Sequence, residues 1–83
     1  MRLDKFLKVS RVIKRRSVAN DVCTAGRVQV NGRTAKPSVK LKTGDIVSIA
    51  FGNGVVTFKV LSIEQQVRKD EASSMYEIIE DTL

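Results

Sequence analysis

Histidine is absent from this chain, and with it the commonest general base. The one cysteine, Cys23, cannot close an internal disulfide, and without histidine the usual Cys/His zinc sites are excluded as well. A lone thiol fits a reducing, cytoplasmic compartment. Tryptophan is missing too, and the remaining aromatics, Phe6, Phe51, Phe58 and Tyr76, all lie within apolar patterns that assign them to a core. Base stacking of the kind single-strand binders use therefore has little support. No apolar run approaches the roughly 18 residues of a membrane span. The opening MRLDKFLKVSRVIKRR has neither the apolar stretch nor the cleavage site of a signal peptide. Gly52-Asn53-Gly54 is too short to cradle a phosphate and has no helix after it, so it reads as a turn. The 83 residues suffice for one domain with one small core, leaving little room for a catalytic cleft and its scaffold. We expect no enzyme, no cofactor and no metal.

What is present is charge, and it is segregated. Residues 1–42 hold twelve Lys or Arg against Asp4 and Asp21, a net of +10. Residues 43–83 hold Lys59, Arg68 and Lys69 against seven acids, a net of −4. A basic half on a compact domain is the footprint of a polyanion partner. An anionic membrane would need a broad apolar face left unburied, and this small domain needs its apolar residues for its own core. Nucleic acid is the expected partner, and no membrane.

Leu3, Phe6, Leu7, Ser10 and Ile13 fall on one side of a helix, with Lys5 and Lys8 opposite. Lys14-Arg15-Arg16 then connects to a second helix, whose narrow apolar stripe is Val18, Ala19, Val22 and Cys23. Ser17 can serve as its N-cap, and a start one turn earlier reads equally well. Gly26 suits the C-terminal cap. Cys23 lies on the apolar stripe, as a small buried hydrophobe rather than a reactive thiol.

Strand character follows. Arg27–Val30 alternates before the turn dipeptide Asn31-Gly32, and Lys36-Pro37-Ser38 marks a loop or edge. Thr43-Gly44-Asp45 is a turn, and Ile46–Phe51 and Val55–Ile63 flank a hairpin. In the tail, 69–74 has the pattern of a helical turn, with Met75, Tyr76, Ile78 and Ile79 docking on the body before a frayed end. The predicted fold is α+β, two short N-terminal helices packed on a small, mainly antiparallel sheet. Residues 1–63 form the RNA-binding domain, and 64–83 an acidic C-terminal extension, partly docked.

The candidate interface is the cluster Arg2, Lys5, Lys8, Arg11, Lys14, Arg15 and Arg16. Arg15 and Arg16 precede or open the second helix, where backbone N–H groups and the helix dipole already favour an anion. Guanidinium forks there add bidentate phosphate binding. The competing reading is a solvated charged face, but charge segregation and helix-terminus placement agree on an anion site. Asp4, a lone acid among these cations, is either an exposed acid near a helix start or a partner that orients Arg15 or Arg16. With aromatics scarce, the target is structured RNA, read by shape and phosphate position.

Taken in order, Arg2-Leu3-Asp4-Lys5-Phe6-Leu7, Arg16-Ser17-Val18-Ala19, Gly26-Arg27-Val28-Gln29-Val30-Asn31-Gly32, Lys36-Pro37-Ser38 and Gly44-Asp45-Ile46-Val47 resemble the S-four type of RNA-binding domain over roughly residues 1–51. The resemblance implies RNA bound along the helical face and the adjoining loop. Carried over by position, the contacting residues are Arg2, Lys5, Arg15, Arg16, Arg27, Asn31 and Lys36, while Gly26, Gly32 and Gly44 match turn positions. Arg15 stands where many members have Ser or Thr, which leaves the identity of the helix N-cap open and adds a phosphate ligand.

Members that modify RNA or charge tRNA carry a separate catalytic domain, whereas this chain resembles the stand-alone ones. KDEASSMY at 69–76, with the MRLDKFLKVSR opening and the Lys14-Arg15-Arg16 run, is similar to members acting in ribosome-associated quality control. That similarity implies a monomer on a large ribosomal subunit blocked by a nascent-chain tRNA. It would contact large-subunit ribosomal RNA and the peptidyl-site tRNA, and assist a protein factor that adds C-terminal alanine tails. The alternatives are a general ribosome-binding stress protein, a detached RNA-targeting subunit of an RNA-modifying enzyme, and a DNA-binding helix pair.

Overall fold

The computed structural model describes residues 1–13, 15–52, 54–63 and 74–82, and for Arg16 the backbone alone. Lys14, Asn53 and residues 69–73 of the helical turn expected over 69–74 lie outside the described residues. Two helices, α1 (Leu3–Val9) and α2 (Arg16–Thr24), precede five strands: β1 (Val28–Val30), β2 (Arg33–Thr34), β3 (Ile46–Phe51), β4 (Gly54–Val60) and β5 (Tyr76–Asp81). The strands form one antiparallel sheet in the order β2-β1-β3-β4-β5, and the predicted α+β class stands.

Alternation along the strands divides the sheet into two faces. Val28, Val47, Ile49, Val56, Phe58 and Val60 are buried with Leu3, Phe6 and Leu7 of α1 and Ala19 and Cys23 of α2. Phe58 stacks on Phe6 at 6.0 Å between ring centroids and meets Tyr76 edge-on at 5.4 Å. One ring thus ties α1, β4 and β5 together. The helical periodicity also holds beyond the end of α1, since Ser10 and Ile13 are buried. The Ser10 hydroxyl donates to the Phe6 carbonyl at 2.6 Å, so its burial leaves no unmet polar group. Val18 departs from the expected stripe and is exposed; on this short helix Ala19 and Cys23, four residues apart, make the inward line.

The turns follow local chemistry. α2 ends in a Schellman motif, with Gly26 N–H on the Cys23 carbonyl and Arg27 N–H on the Val22 carbonyl, and Gly26 at φ +76°. Asn31 and Gly32 both have positive φ, +52° and +83°, which gives the β1–β2 hairpin the type I′ geometry that matches strand twist. α1 ends differently, because Arg11 holds φ +63° at the position glycine usually takes. An L side chain there is strained, so Arg11→Gly should stabilise the fold by about 0.5–1 kcal/mol in urea denaturation. Equal or lower stability would refute that reading of the turn.

The tail is the main departure. Where a frayed end was expected, β5 pairs with β4 as far as Val56↔Asp81, and Thr82 N–H still reaches the Val55 carbonyl. Met75 and Tyr76 dock as expected, but Ile78 and Ile79 do not, being 46% and 56% exposed. A register shift between Thr57 and Phe58 takes Ile79 out of the ladder, and among the described residues β5 is an edge strand with no neighbour beyond it. The run expected over Val55–Ile63 stops at Val60, because Leu61 and Ser62 both turn their N–H groups to the Met75 carbonyl.

Candidate nucleic-acid interface

Two helix N-termini lie in the basic half, and they are not equivalent. In α1 the Leu3 N–H donates to the Val39 carbonyl (2.8 Å) and the Asp4 N–H to the Pro37 carbonyl (3.1 Å). Lys5 N–H reaches the Asp4 carboxylate (2.8 Å), and Phe6 N–H the Arg2 carbonyl. All four donors of that first turn are spent within the protein. α2 starts at Arg16 with Arg15 as N-cap and no side-chain cap. Ser17 is therefore inside the helix, not its cap. Its N–H and that of Val18 meet no acceptor among the described residues, while Ala19 N–H bonds to the Arg15 carbonyl. Exposed Arg15 stands beside these donors, and the Arg16 backbone carries the first of the helix. Open N–H groups, a helix dipole and adjacent guanidinium make α2 the stronger anion site.

Asp4 is neither exposed nor idle. Its side chain is 3% exposed and takes Arg2 in a side-on fork, Nε to Oδ1 and Nη2 to Oδ2, both at 3.3 Å. The cation it orients here is thus Arg2, whose own side chain is 49% exposed; the Arg16 side chain lies outside the described residues. The backbone explains why Arg2 sits where it does. Arg2 bridges to Lys40 and Leu41 N–H binds the Met1 carbonyl, so residues 36–41 strap the start of the chain in place.

Beside this strap, α2 and residues 34–38 enclose a cleft of about 510 Å³ that Arg2 and Lys36 both line. Lys8 and Arg11 are exposed at the end of α1 and Lys5 is half-buried on it. Arg27 is set apart. It lines a smaller hollow of about 200 Å³ with Gln29, Ser48 and Ala50, residues of the outer sheet face, where Ser48 and Thr57 share a hydrogen bond of 2.9 Å. The predicted cations among the described residues therefore fall at four places: the start of α2, the cleft at Arg2 and Lys36, the α1 surface with Lys5, Lys8 and Arg11, and the outer face at Arg27.

Asn31 has work inside the fold. Its Nδ2 donates to Asp45 Oδ1 at 3.1 Å, its Oδ1 accepts the Ile46 N–H at 2.9 Å, and Asp45 Oδ2 takes the Lys42 N–H. The amide joins the β1–β2 turn to the turn before β3. Asn31→Ala should cost about 2 kcal/mol in chemical denaturation, since it strands a buried carboxylate and strains a positive-φ position. A loss below about 0.5 kcal/mol would make the amide available to a ligand instead. Sequence reasoning missed this network, and also Asn20 and Thr24 at the cleft, which lie off the expected apolar stripe of α2.

The Cys23 thiol is pushed up to about 11 by burial, with the Asp4 carboxylate adding to the shift. At neutral pH it is protonated and behaves as a small apolar group.

Two short helices on an antiparallel sheet, with cations at these places, define a small RNA-binding module, and residues 1–47 match the family model of the S4 domain. The chain belongs to the S4 domain family. It is 54% identical over 82 residues to the RQC P-site tRNA stabilizing factor of Streptococcus pneumoniae, covering 99% of this chain and 93% of that one. With the protein of the same name from Bacillus subtilis the identity is 47% over 81 residues, 98% and 94% of the two chains. Among solved structures, heat shock protein 15 of Vibrio cholerae, described as trimeric, superposes with a TM-score of 0.88 at 32% identity, covering 99% of this chain and 84% of that one.

Proposed function

We propose that this protein is an RNA-binding accessory factor of ribosome-associated quality control that steadies the peptidyl-site tRNA of a stalled large subunit. The observation that carries the reading is the uncapped start of α2, where open N–H groups and arginine converge. Its similarity to the stabilizing factors over nearly their full length supports the ribosomal setting. In this reading Arg2, Lys5, Lys8, Arg11, Lys14, Arg15, Arg16, Arg27 and Lys36 meet phosphates of tRNA and large-subunit ribosomal RNA, and Asp4 sets the angle of Arg2. The protein acts as a monomer, holds RNA in place and performs no chemistry. Its benefit goes to a partner that adds C-terminal alanine tails.

The acidic residues of β5, Glu77, Glu80 and Asp81, lie at the sheet edge opposite β2, about 19 Å away across four strand spacings. This polarity orients the domain, since the phosphate-rich partner is repelled at one edge and attracted at the helices. Sucrose-gradient sedimentation of tagged protein from cells tests the proposal. Co-migration with free large subunits, increased when translation is stalled, is the expected result. Confinement to the top of the gradient would remove the ribosomal role.

A further inference from the structure

The cleft between α2 and residues 34–38 holds more than the cations that meet phosphates, and its lining differs from the rest of the basic half. Cys23 and Ala35 are buried but line it together with Pro37, so its interior is mainly apolar. Asn20 and Thr24 stand one helical turn apart on its α2 side, their side chains 3.4 Å from each other. Arg2 and Lys36 are its cations, and among the described residues no carboxylate lines it. Its volume of about 510 Å³ lies in the usual range of roughly 300–1,000 Å³ for sites that enclose a small organic group.

We infer that this cleft receives one unstacked nucleotide of the bound RNA, its base inserted against Cys23, Ala35 and Pro37 and its phosphate held by Arg2 and Lys36. The inference rests on the RNA-binding reading above and adds base recognition to it. An apolar slot accepts the faces of a planar base without aromatic stacking. The Thr24 hydroxyl donates to Asn20 Oδ1, which leaves Thr24 Oγ1 as a further acceptor. The Asn20 amide keeps its NH2 donors and a second lone pair, the donor and acceptor together that a base edge requires. Because Nε and Nη2 of Arg2 face Asp4, the Nη1 side of its guanidinium is left for the phosphate. Cleft and cation are built by the same strap, since Pro37, whose carbonyl accepts the Asp4 N–H at the start of α1, is also one of the residues that line the cleft. A shape-and-phosphate reader thereby gains a position at which an unpaired nucleotide is required.

Nuclear magnetic resonance on the nitrogen-15-labelled full chain tests this at fixed salt. Adenosine and uridine 5′-monophosphates should shift the amide signals of Cys23, Thr24, Ala35 and Ser38, whereas ribose 5-phosphate should shift only signals near Arg2 and Lys36. In a stem-loop RNA carrying 2-aminopurine at successive loop positions, one position should brighten severalfold on binding. Thr24→Phe places a ring into the cleft from an exposed site, and Ser38→Trp does so from the loop. Either should abolish the nucleotide shifts and the brightening, while affinity for the stem-loop, followed by anisotropy, falls less than about tenfold because the α2 contacts persist. Mononucleotides that do no more than ribose 5-phosphate would overturn the inference, as would plugged variants that bind them unchanged. Loss of all RNA anisotropy change in the unaltered protein would instead overturn the proposed function, with the mononucleotide titration still deciding the cleft.

Discussion

Phe58→Ala should cost about 3–5 kcal/mol, the range for emptying a buried aromatic site. A domain of this length holds only about 4–12 kcal/mol in total, so the variant should be largely unfolded or close to it at 37 °C. The reason is the position of the ring. Phe58 is fully buried on β4, stacks on Phe6 of α1 and meets Tyr76 of β5 at an angle of 62°. Removing it opens a cavity that none of the three elements can close alone, because each is held by the others through that ring. β5 should be affected most, since its exposed outer edge and half-exposed Ile78 and Ile79 leave Met75 and Tyr76 as its anchors. Urea denaturation followed by circular dichroism measures the loss, and hydrogen exchange should show β5 opening before β3. Phe58→Leu, which keeps an apolar side chain in the gap, should cost about 1–2 kcal/mol. A loss for Phe58→Ala below about 1.5 kcal/mol would show that the ring does not join these elements.

The second large effect concerns binding. Replacing both Arg15 and Arg16 with Ala should weaken the complex with structured RNA by about 2–4 kcal/mol at physiological salt, from two charge-assisted contacts. It should also reduce the slope of log affinity against log salt by about 1.4–1.8, the counterions released at two phosphates. The single change Arg16→Ala should lower that slope by about one unit or slightly less. Anisotropy titrations at four salt concentrations give both quantities. Lys59→Ala is the control, because Lys59 is an exposed cation on β4 that pairs in register with acidic Glu77, away from both helices. An unchanged slope in the double variant would exclude phosphate contacts at the start of α2. A loss as large for Lys59→Ala would make the binding a property of net charge alone.

The elements and turns were legible where their causes are local. Apolar spacing in LDKFLKV marked α1 because burial repeats with the helical period, and the positive-φ demands of Asn31, Gly32 and Gly44 marked turns. The alternation of Arg27–Val30 and the β-rich runs Ile46–Phe51 and Val55–Ile63 likewise marked strands, though which of their residues face the core came from the structure. β5 was not legible, since YEIIED has no clean alternation and gains its strand state from pairing with β4 across a bulge. At the candidate site, the positions of Arg15 and Arg16 at the start of α2 could be read from the motif and the helix period. The partner of Asp4 could not, because Arg2 is two residues away and depends on a strap from residues 36–41.

The basic half that opens the chain is a property of composition, and so is the exclusion of histidine chemistry; neither needs a fold to be true. Local periodicity and turn stereochemistry likewise determined two helices and three of the five strand regions, while the choice between a cap at Ser17 and a start at Arg16 was left to the structure. Tertiary structure alone decided which cations act together. It spent the N-terminus of α1 on loop carbonyls, placed Arg2 and Lys36 along one cleft, turned Arg27 to the outer sheet face and committed Asn31 to Asp45. The physical reason is range: dihedral preference and burial period act over a few residues, whereas a site is made of groups brought together by contacts between elements distant in sequence.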